Sequence, residues 1–286
     1  MAETNEIQQD PTRIEVLKKI EEFEKIGNFN EDVEDDPVTG QITPNMVDYE
    51  RKKLSSKFKT WLAYKMARKF MNKIIEMGAL RIKDIEGVEN FQNLKTGAII
   101  TCNHFNQLDS FAMQAAYDAS KHKKRKMFKV IKEGNFLNCG DNKLFAFLMQ
   151  NAYTLPLSSN RETMRKFLES IKSLLKKGHF ILVYPEQAMW WNYRKPRPLK
   201  KGAFKFAVDN NVPVLPIFIT MENAGIVGPD GFQLQDYTIH INPPIYKDEK
   251  LSDRENIDMM MQKNYDVWKD VYEKTYNKKL EYLTKK

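Results

Sequence analysis

The stretch AIITCNHFNQLD, residues 98–109, joins a short apolar run to a histidine and an aspartate five positions apart. Five residues turn an ideal α-helix through roughly 500°, so His104 and Asp109 would not share a helix face. They meet only if a loop follows a strand and Asp109 begins the next helix. Both side chains then lie at the carboxyl edge of the strand, where α/β sheets form their sites. A histidine held by a carboxylate can take a proton from an alcohol, so the stretch indicates a general base.

The spacing of His104 and Asp109 also has a purely structural interpretation, with no role in catalysis. Asp109 could cap the helix that follows it, while His104 makes an ordinary hydrogen bond. A match of two residues is weak without context, so the choice depends on the rest of the chain.

Beyond this stretch, short apolar runs alternate with helical patterns. We predict strands near residues 98–102, 127–131, 180–184, 214–220 and 237–241, and helices near 110–120, 160–177, 202–210 and 252–276. Residues 180–184 are continuously apolar, as in a strand covered on both faces. Before the helix at 160–177, Ser159 and Glu162 have the spacing of a capping box. The alternation predicts an α/β fold with a mostly parallel central sheet flanked by helices, after an N-terminal helical element.

Charge and composition divide the chain into three regions. Residues 1–50 hold 14 acidic and 4 basic side chains, a net charge of −10, so the total of +8 leaves +18 on the remainder. We expect an acidic N-terminal helix and linker over 1–50, a basic amphipathic helix over 51–80, and an α/β domain over 81–286. The aromatic residues, methionines and lysines of 55–77 fit a helix at a membrane interface, or one packed on the domain. A basic body favours polyanions or an anionic membrane face.

Several classes of function lack their signatures. The two cysteines, Cys102 and Cys139, form no zinc spacing and no disulfide framework, which fits a reduced cytosolic setting. No stretch reaches the ~18 apolar residues that span a bilayer.

Phosphate-binding glycine loops, G-x-S-x-G and H-E-x-x-H are absent from the sequence, and no nucleic-acid recognition module accompanies the basic run at 121–126. That run could meet solvent, lipid headgroups or an acidic acyl carrier protein. We therefore expect no metal, no bound cofactor and no nucleic acid.

Four blocks, in order from about residue 87 to residue 245, resemble the glycerolipid acyltransferase superfamily, which includes the 1-acyl-sn-glycerol-3-phosphate acyltransferases. The first block is Asn-His, four residues, then Asp, at 103–109. The second is an arginine before a long helix, matched best by Arg161 and next by Arg165.

The third block is usually Phe-Pro-Glu-Gly-Thr-Arg and is altered in this chain. It reads YPEQAM at 184–189, so Glu186 is kept and Met189 replaces the arginine. The fourth block, Val-Pro followed by an apolar pair and Pro, lies at 212–216.

The resemblance implies an acyltransferase in which His104 is the general base and Asp109 orients it. It implies substrate binding by Asn103, Arg161 and Glu186, with Arg194 and Lys201 as substitutes for the lost arginine. The implied reaction transfers a fatty acyl group from acyl-coenzyme A or acyl-acyl carrier protein to 1-acylglycerol 3-phosphate, giving phosphatidic acid. The protein would be cytoplasmic and peripheral on the inner face of the cell membrane.

The altered third block leaves alternatives open. The acceptor could be another lysolipid or a lipid-linked hydroxyl, or the chain could be a non-enzymatic lipid-binding protein at a membrane surface. Arg197 and Lys200 are further candidates for the lost charge. The tryptophan pair at 190–191 could line an acyl channel, lie at the lipid interface or pack in the core.

Overall fold

The computed structural model describes residues 8–34, 40–138 and 142–284, so Cys139 lies outside the described residues. The helices are α1 (Pro11–Ile26), α2 (Leu54–Glu76), α3 (Val88–Gln92), α4 (Asp109–Ala119), α5 (Glu133–Leu137), α6 (Lys143–Asn151), α7 (Arg161–Lys176), α8 (Gly202–Asp209) and α9 (Asp253–Tyr276). The strands are β1 (Arg81–Glu86), β2 (Ala98–Thr101), β3 (Met127–Ile131), β4 (Thr154–Pro156), β5 (Phe180–Val183), β6 (Val214–Val227) and β7 (Gln233–Ile241).

Within the described residues the strands form one seven-stranded sheet, in the order β1-β7-β6-β2-β5-β3-β4. Strand β2 pairs in parallel with β5 and β6, and β3 pairs in parallel with β4 and β5. Strand β7 is antiparallel to β6 and parallel to β1. The predicted α/β fold with a mostly parallel sheet is thus confirmed. Strands β2, β3, β4 and β5 all end at one side of the sheet, which we call the carboxyl edge.

The central strands are buried on both faces because their side chains alternate between two cores. On one face, Ile100 and Leu182 pack with residues of α4. On the other, Ile99 and Ile181 pack with α7 and α8. This double burial explains the continuous apolar runs and fixes where each strand ends.

The helices α3, α5 and α6 were not predicted, and three further local features differ from the sequence predictions. Strand β1 was not predicted, because its sequence RIKDIE mixes charged and apolar residues, as an edge strand permits. Strand β6 continues to Val227, beyond the predicted 220. The capping box of Ser159 and Glu162 is wrong, since the side chain of Asn160 accepts the Thr163 N–H at 3.0 Å and caps α7.

The N-terminal segment packs on the tryptophan pair. The shared core consists of Val16, Ile20, Phe29, Val33, Ala188, Trp190 and Trp191. The rings of Phe29 and Trp190 stack with centroids 5.8 Å apart. The lipid-interface interpretation of the tryptophans is therefore wrong, and core packing is correct. The described parts of 28–48 form turns and loops, as predicted, but they contribute buried side chains to the body.

Helix α2 divides its apolar residues between the body and solvent. Met71 and Ile74 are buried, whereas Phe58 and Trp61 are 63% and 51% exposed. Those two rings stack, and the ammonium of Lys65 lies 4.3 Å from the Trp61 ring centroid. The packing interpretation is thus confirmed for one part of this helix, and the membrane-interface interpretation stays a prediction for its exposed part. None of the described helices is long and apolar enough to cross a bilayer.

Candidate active site

His104 and Asp109 meet at the carboxyl edge, in the loop between β2 and α4. The Nδ1 atom of His104 lies 2.6 Å from Oδ2 of Asp109. Asp109 is 2% exposed and is the first residue of α4, where the helix dipole favours a negative charge. A buried carboxylate at this distance accepts a hydrogen bond from Nδ1–H, which leaves the lone pair on Nε2. No described residue hydrogen-bonds Nε2, so this atom can act as a base towards a substrate.

Tyr184 contacts both members of this pair from the end of β5. Its hydroxyl donates to Oδ1 of Asp109 at 2.8 Å. Its ring stacks on the His104 imidazole, with centroids 4.3 Å apart and planes 23° apart. Burial, followed by the charge of Asp109, raises the pKa of Tyr184 well above its usual value, so the hydroxyl remains a donor.

Glu186 and Arg197 hold the backbone of His104. Oε2 of Glu186 accepts the His104 N–H at 3.0 Å and also lies 3.1 Å from Nη2 of Arg197. Arg197 donates to the carbonyl oxygens of Phe29 and Ala188, and its guanidinium covers the ring of Trp190. Because its guanidinium is bonded to all these partners, the buried Arg197 stabilises the fold and is not free to bind a phosphate.

Asn103 joins β2 to β6. Its amide donates to the Ile219 carbonyl at 3.0 Å, and its Oδ1 accepts the Ile219 N–H at 2.8 Å. The side chain is buried and uses both polar groups in this way. The structure therefore gives Asn103 a role in fixing the strand end beside His104, and not an open contact for substrate.

Arg161 lies at the carboxyl edge but apart from His104. It begins α7 after β4, and β4 is three strands from β2 in the sheet. At about 4.8 Å per strand this separation is about 14 Å. Arg161 and Arg165 are both exposed, and neither side chain has a hydrogen bond or ion pair with a described residue. Arg161 is therefore available to an anionic group that extends along this edge.

Arg194 and Lys201, the two proposed substitutes for the lost arginine, are engaged elsewhere. Arg194 donates to Asn223 at 2.7 Å and to Gln235 at 3.1 Å, on the β6–β7 hairpin. Lys201 forms an ion pair with Asp258 of α9. The structure brings together His104, Asp109 and Glu186, and it does not bring these two cations to them.

The third block also departs from its usual form at the glycine position. Gln187 stands there with φ of 66°, in the left-handed region that glycine adopts without steric cost. A glutamine in this conformation is strained, whereas a glycine would not be. This strained turn carries the chain from Glu186 back to Trp190, whose N–H donates to the His104 carbonyl at 3.2 Å.

Lys129 is a charged neighbour that the sequence analysis missed. It lies in β3, and its Nζ donates to the carbonyl oxygen of Ser110, next to Asp109. Burial lowers the pKa of Lys129 to about 8, although Asp109 and Asp118 act to raise it. A lysine inside the otherwise apolar run MFKVI was the available signal, since lysine is almost never buried without a partner.

The basic run at 121–126 lies away from the pair of His104 and Asp109, which we call the dyad. It joins the end of α4 to the start of β3, and so lies at the opposite edge of the sheet from His104. Arg125 also donates to the backbone carbonyls of Leu94, Thr96 and Gly178. A carrier protein bound to this run would not face the dyad. Among the described residues, no cluster of His, Cys, Asp or Glu could hold a metal ion.

A family model described as Acyltransferase matches residues 83–220, which span β1 to the first half of β6 and include His104, Asp109, Tyr184 and Glu186. Residues 83–220 are therefore similar to the acyltransferase family. The predicted resemblance is therefore confirmed at the level of the superfamily. The match ends before the hairpin partner β7 and the long helix α9.

Two individual proteins are also similar to this chain. A chloroplastic 1-acyl-sn-glycerol-3-phosphate acyltransferase of Brassica napus is 28% identical over 170 residues, covering 57% of this chain and 45% of that protein. The chain thus spans less than half the length of this relative. The crystal structure of the 1-acyl-sn-glycerophosphate acyltransferase PlsC of Thermotoga maritima matches with a TM-score of 0.42 and 18% identity, over 74% of this chain and 81% of that one.

Proposed function

We propose that this protein transfers a fatty acyl group from an acyl thioester to the free hydroxyl of 1-acylglycerol 3-phosphate, giving phosphatidic acid. The observation that carries the proposal is the buried Asp109 bonded to Nδ1 of His104, with Nε2 open, inside the region that is similar to the acyltransferase family. The name of the plant relative supports the choice of acceptor.

His104 Nε2 takes the hydroxyl proton while the acceptor oxygen attacks the thioester carbonyl carbon. A C–O bond forms, the C–S bond breaks, and the imidazolium returns the proton to the leaving thiolate. Asp109 stabilises the imidazolium and keeps its orientation. General acid–base catalysis of this kind contributes roughly 10² to 10⁴ in rate.

The thioester donor is acyl-coenzyme A or acyl-acyl carrier protein, acting as a co-substrate. The exposed aromatic and basic surface of α2 binds the protein peripherally to an anionic membrane, on the cytoplasmic face of the cell membrane. Arg161 receives the acceptor phosphate, since it lies exposed at the carboxyl edge.

The test is acyl transfer by the purified protein, with labelled acyl thioester and 1-acylglycerol 3-phosphate. The wild type should form phosphatidic acid, and His104→Ala should lose at least 10²-fold in rate. His122→Gln is the matched control, because His122 bonds the Phe91 carbonyl at the opposite edge and should retain activity. Equal rates for the wild type and His104→Ala would exclude His104 as the base.

A second candidate acceptor, another lysolipid or a lipid-linked hydroxyl, is favoured by one observation. Met189 replaces the usual arginine, and Arg194 and Lys201 are bound elsewhere. A panel of lysolipids with and without a phosphate monoester separates the two. Turnover only of acceptors that lack the monoester would favour the second candidate, and lipid binding without any turnover would favour a non-enzymatic role.

A further inference from the structure

Tyr184 stands at the first position of the third block, where a phenylalanine is usual. Its ring stacks on the imidazole of His104 with centroids 4.3 Å apart. A phenylalanine would supply the same stacking surface, so the hydroxyl and its contact with Asp109 are what a tyrosine contributes at this position.

That hydroxyl completes the hydrogen bonding of a buried carboxylate. Asp109 accepts from His104 Nδ1 at Oδ2, at 2.6 Å, and from Tyr184 at Oδ1, at 2.8 Å. Asp109 is 2% exposed, so water supplies little of its solvation. Two donors at the two oxygens fix the plane of the carboxylate and share its negative charge. The other titratable groups that interact with Asp109 are Lys129 of β3, Tyr237 of β7 and Cys102 after β2, and Tyr184→Phe leaves all three in place.

We infer that Tyr184 is a positioning residue whose hydroxyl orients Asp109 and limits how strongly Asp109 attracts a proton onto His104. The expected effect of Tyr184 on the reaction rate rests on the proposed function, whereas its expected effect on the protonation of His104 does not. Without the hydroxyl, Asp109 concentrates more charge on His104 and favours the protonated ring. A protonated ring cannot act as a base, so the base would become available only at higher pH.

Tyr184→Phe tests this inference because it removes one oxygen and keeps the ring. We expect the acid limb of the pH profile of kcat/KM to move to higher pH. At pH 7 the rate should fall about 3- to 10-fold with little change in KM. Tyr49→Phe is the matched control, because the buried Tyr49 hydroxyl donates to the Pro156 carbonyl at 2.9 Å and does not contact the dyad. This control should lose stability without moving the profile.

An NMR titration of the histidine rings gives a readout that does not need activity. The signal of His104, assigned by its loss in His104→Gln, should be half-protonated at a higher pH in Tyr184→Phe than in the wild type or Tyr49→Phe. If no acceptor is acylated but this shift occurs, the proposed function fails and the positioning role stands. If the ring titration is unmoved in Tyr184→Phe, or moves equally in Tyr49→Phe, the positioning role is overturned.

Discussion

The buried ion pair of Glu186 and Arg197 encloses the backbone of His104. Glu186 Oε2 accepts the N–H of His104, and Arg197 Nη2 lies 3.4 Å from its carbonyl oxygen. The two side chains are 2% and 1% exposed, and Nη2 of one is 3.1 Å from Oε2 of the other. The third block thus contacts His104 through its main chain, while Asp109 contacts its ring.

Glu186→Gln and Arg197→Met should each destabilise the protein by about 3–5 kcal/mol, because each leaves a buried charge unpaired. The double variant should cost less than the sum, with a coupling of about 1–3 kcal/mol. Urea unfolding of all four proteins measures this cycle. Additive costs would mean that the two charges do not depend on each other.

Asn103→Ala should lower stability and leave acceptor binding unchanged. The variant loses both hydrogen bonds to Ile219 and leaves that buried backbone without partners, which costs about 1–3 kcal/mol. Denaturant unfolding measures the loss, and KM for the acceptor in the folded variant tests the binding role. A large rise in KM with unchanged stability would return Asn103 to the substrate site.

The position of the dyad could be predicted from the sequence because strong local signals coincide there. The apolar run of β2, the spacing of His104 and Asp109 and the helix after it allow one arrangement at the carboxyl edge. Glu186 was predicted at the same edge for the same reason, as it follows the buried strand β5. Its contact with the His104 backbone depends on the path of the strained turn at Gln187, which sequence patterns do not determine.

The different contacts of the basic residues after the third block could not be predicted from the sequence alone. Arg194, Arg197 and Lys201 lie within eight positions of one another, yet one binds the β6–β7 hairpin, one is buried under Trp190 and one pairs with α9. These differences arise from tertiary packing of the N-terminal segment, the β6–β7 hairpin and α9, none of which is adjacent in sequence. Lys129 was missed because its neighbours read as an ordinary buried strand.

Arg161→Ala should raise KM for 1-acylglycerol 3-phosphate roughly 10-fold, as expected for one lost charge-assisted bond, with a smaller effect on kcat. Arg165→Ala, one turn further along α7 and equally exposed, is the matched control and should change KM little. Steady-state kinetics over a range of acceptor concentrations measure both. The opposite ranking would place the phosphate beside Arg165.

Lys129→Met should stabilise the fold at neutral pH. Burial lowers the pKa of Lys129 to about 8, while an unfolded lysine titrates near about 10.4. The folded state binds fewer protons than the unfolded state between these values, so the wild type gains stability as the pH rises through that window. The advantage of the variant should therefore be about 1–3 kcal/mol at pH 7 and vanish above about pH 10.5.

Denaturant unfolding of Lys129→Met at pH 7, 9 and 10.5 measures this difference. Lys205→Met is the control, because Lys205 is exposed in its pair with Asp209 and should change stability by less than about 0.5 kcal/mol. A less stable Lys129→Met at pH 7 would mean that the bond to Ser110 outweighs the desolvation of the ammonium.

The exposed surface of α2 should decide membrane binding. Changing Phe58 and Trp61 together to serine removes two aromatic side chains, each contributing about 1–2 kcal/mol when buried in a lipid interface. We expect cosedimentation with anionic vesicles to weaken at least 10-fold, and turnover of detergent-dispersed acceptor to be retained. Leu168→Ser on α7 is the control, since Leu168 is also exposed but lies on another helix. Unchanged vesicle binding by the α2 variant would exclude this surface as the membrane contact.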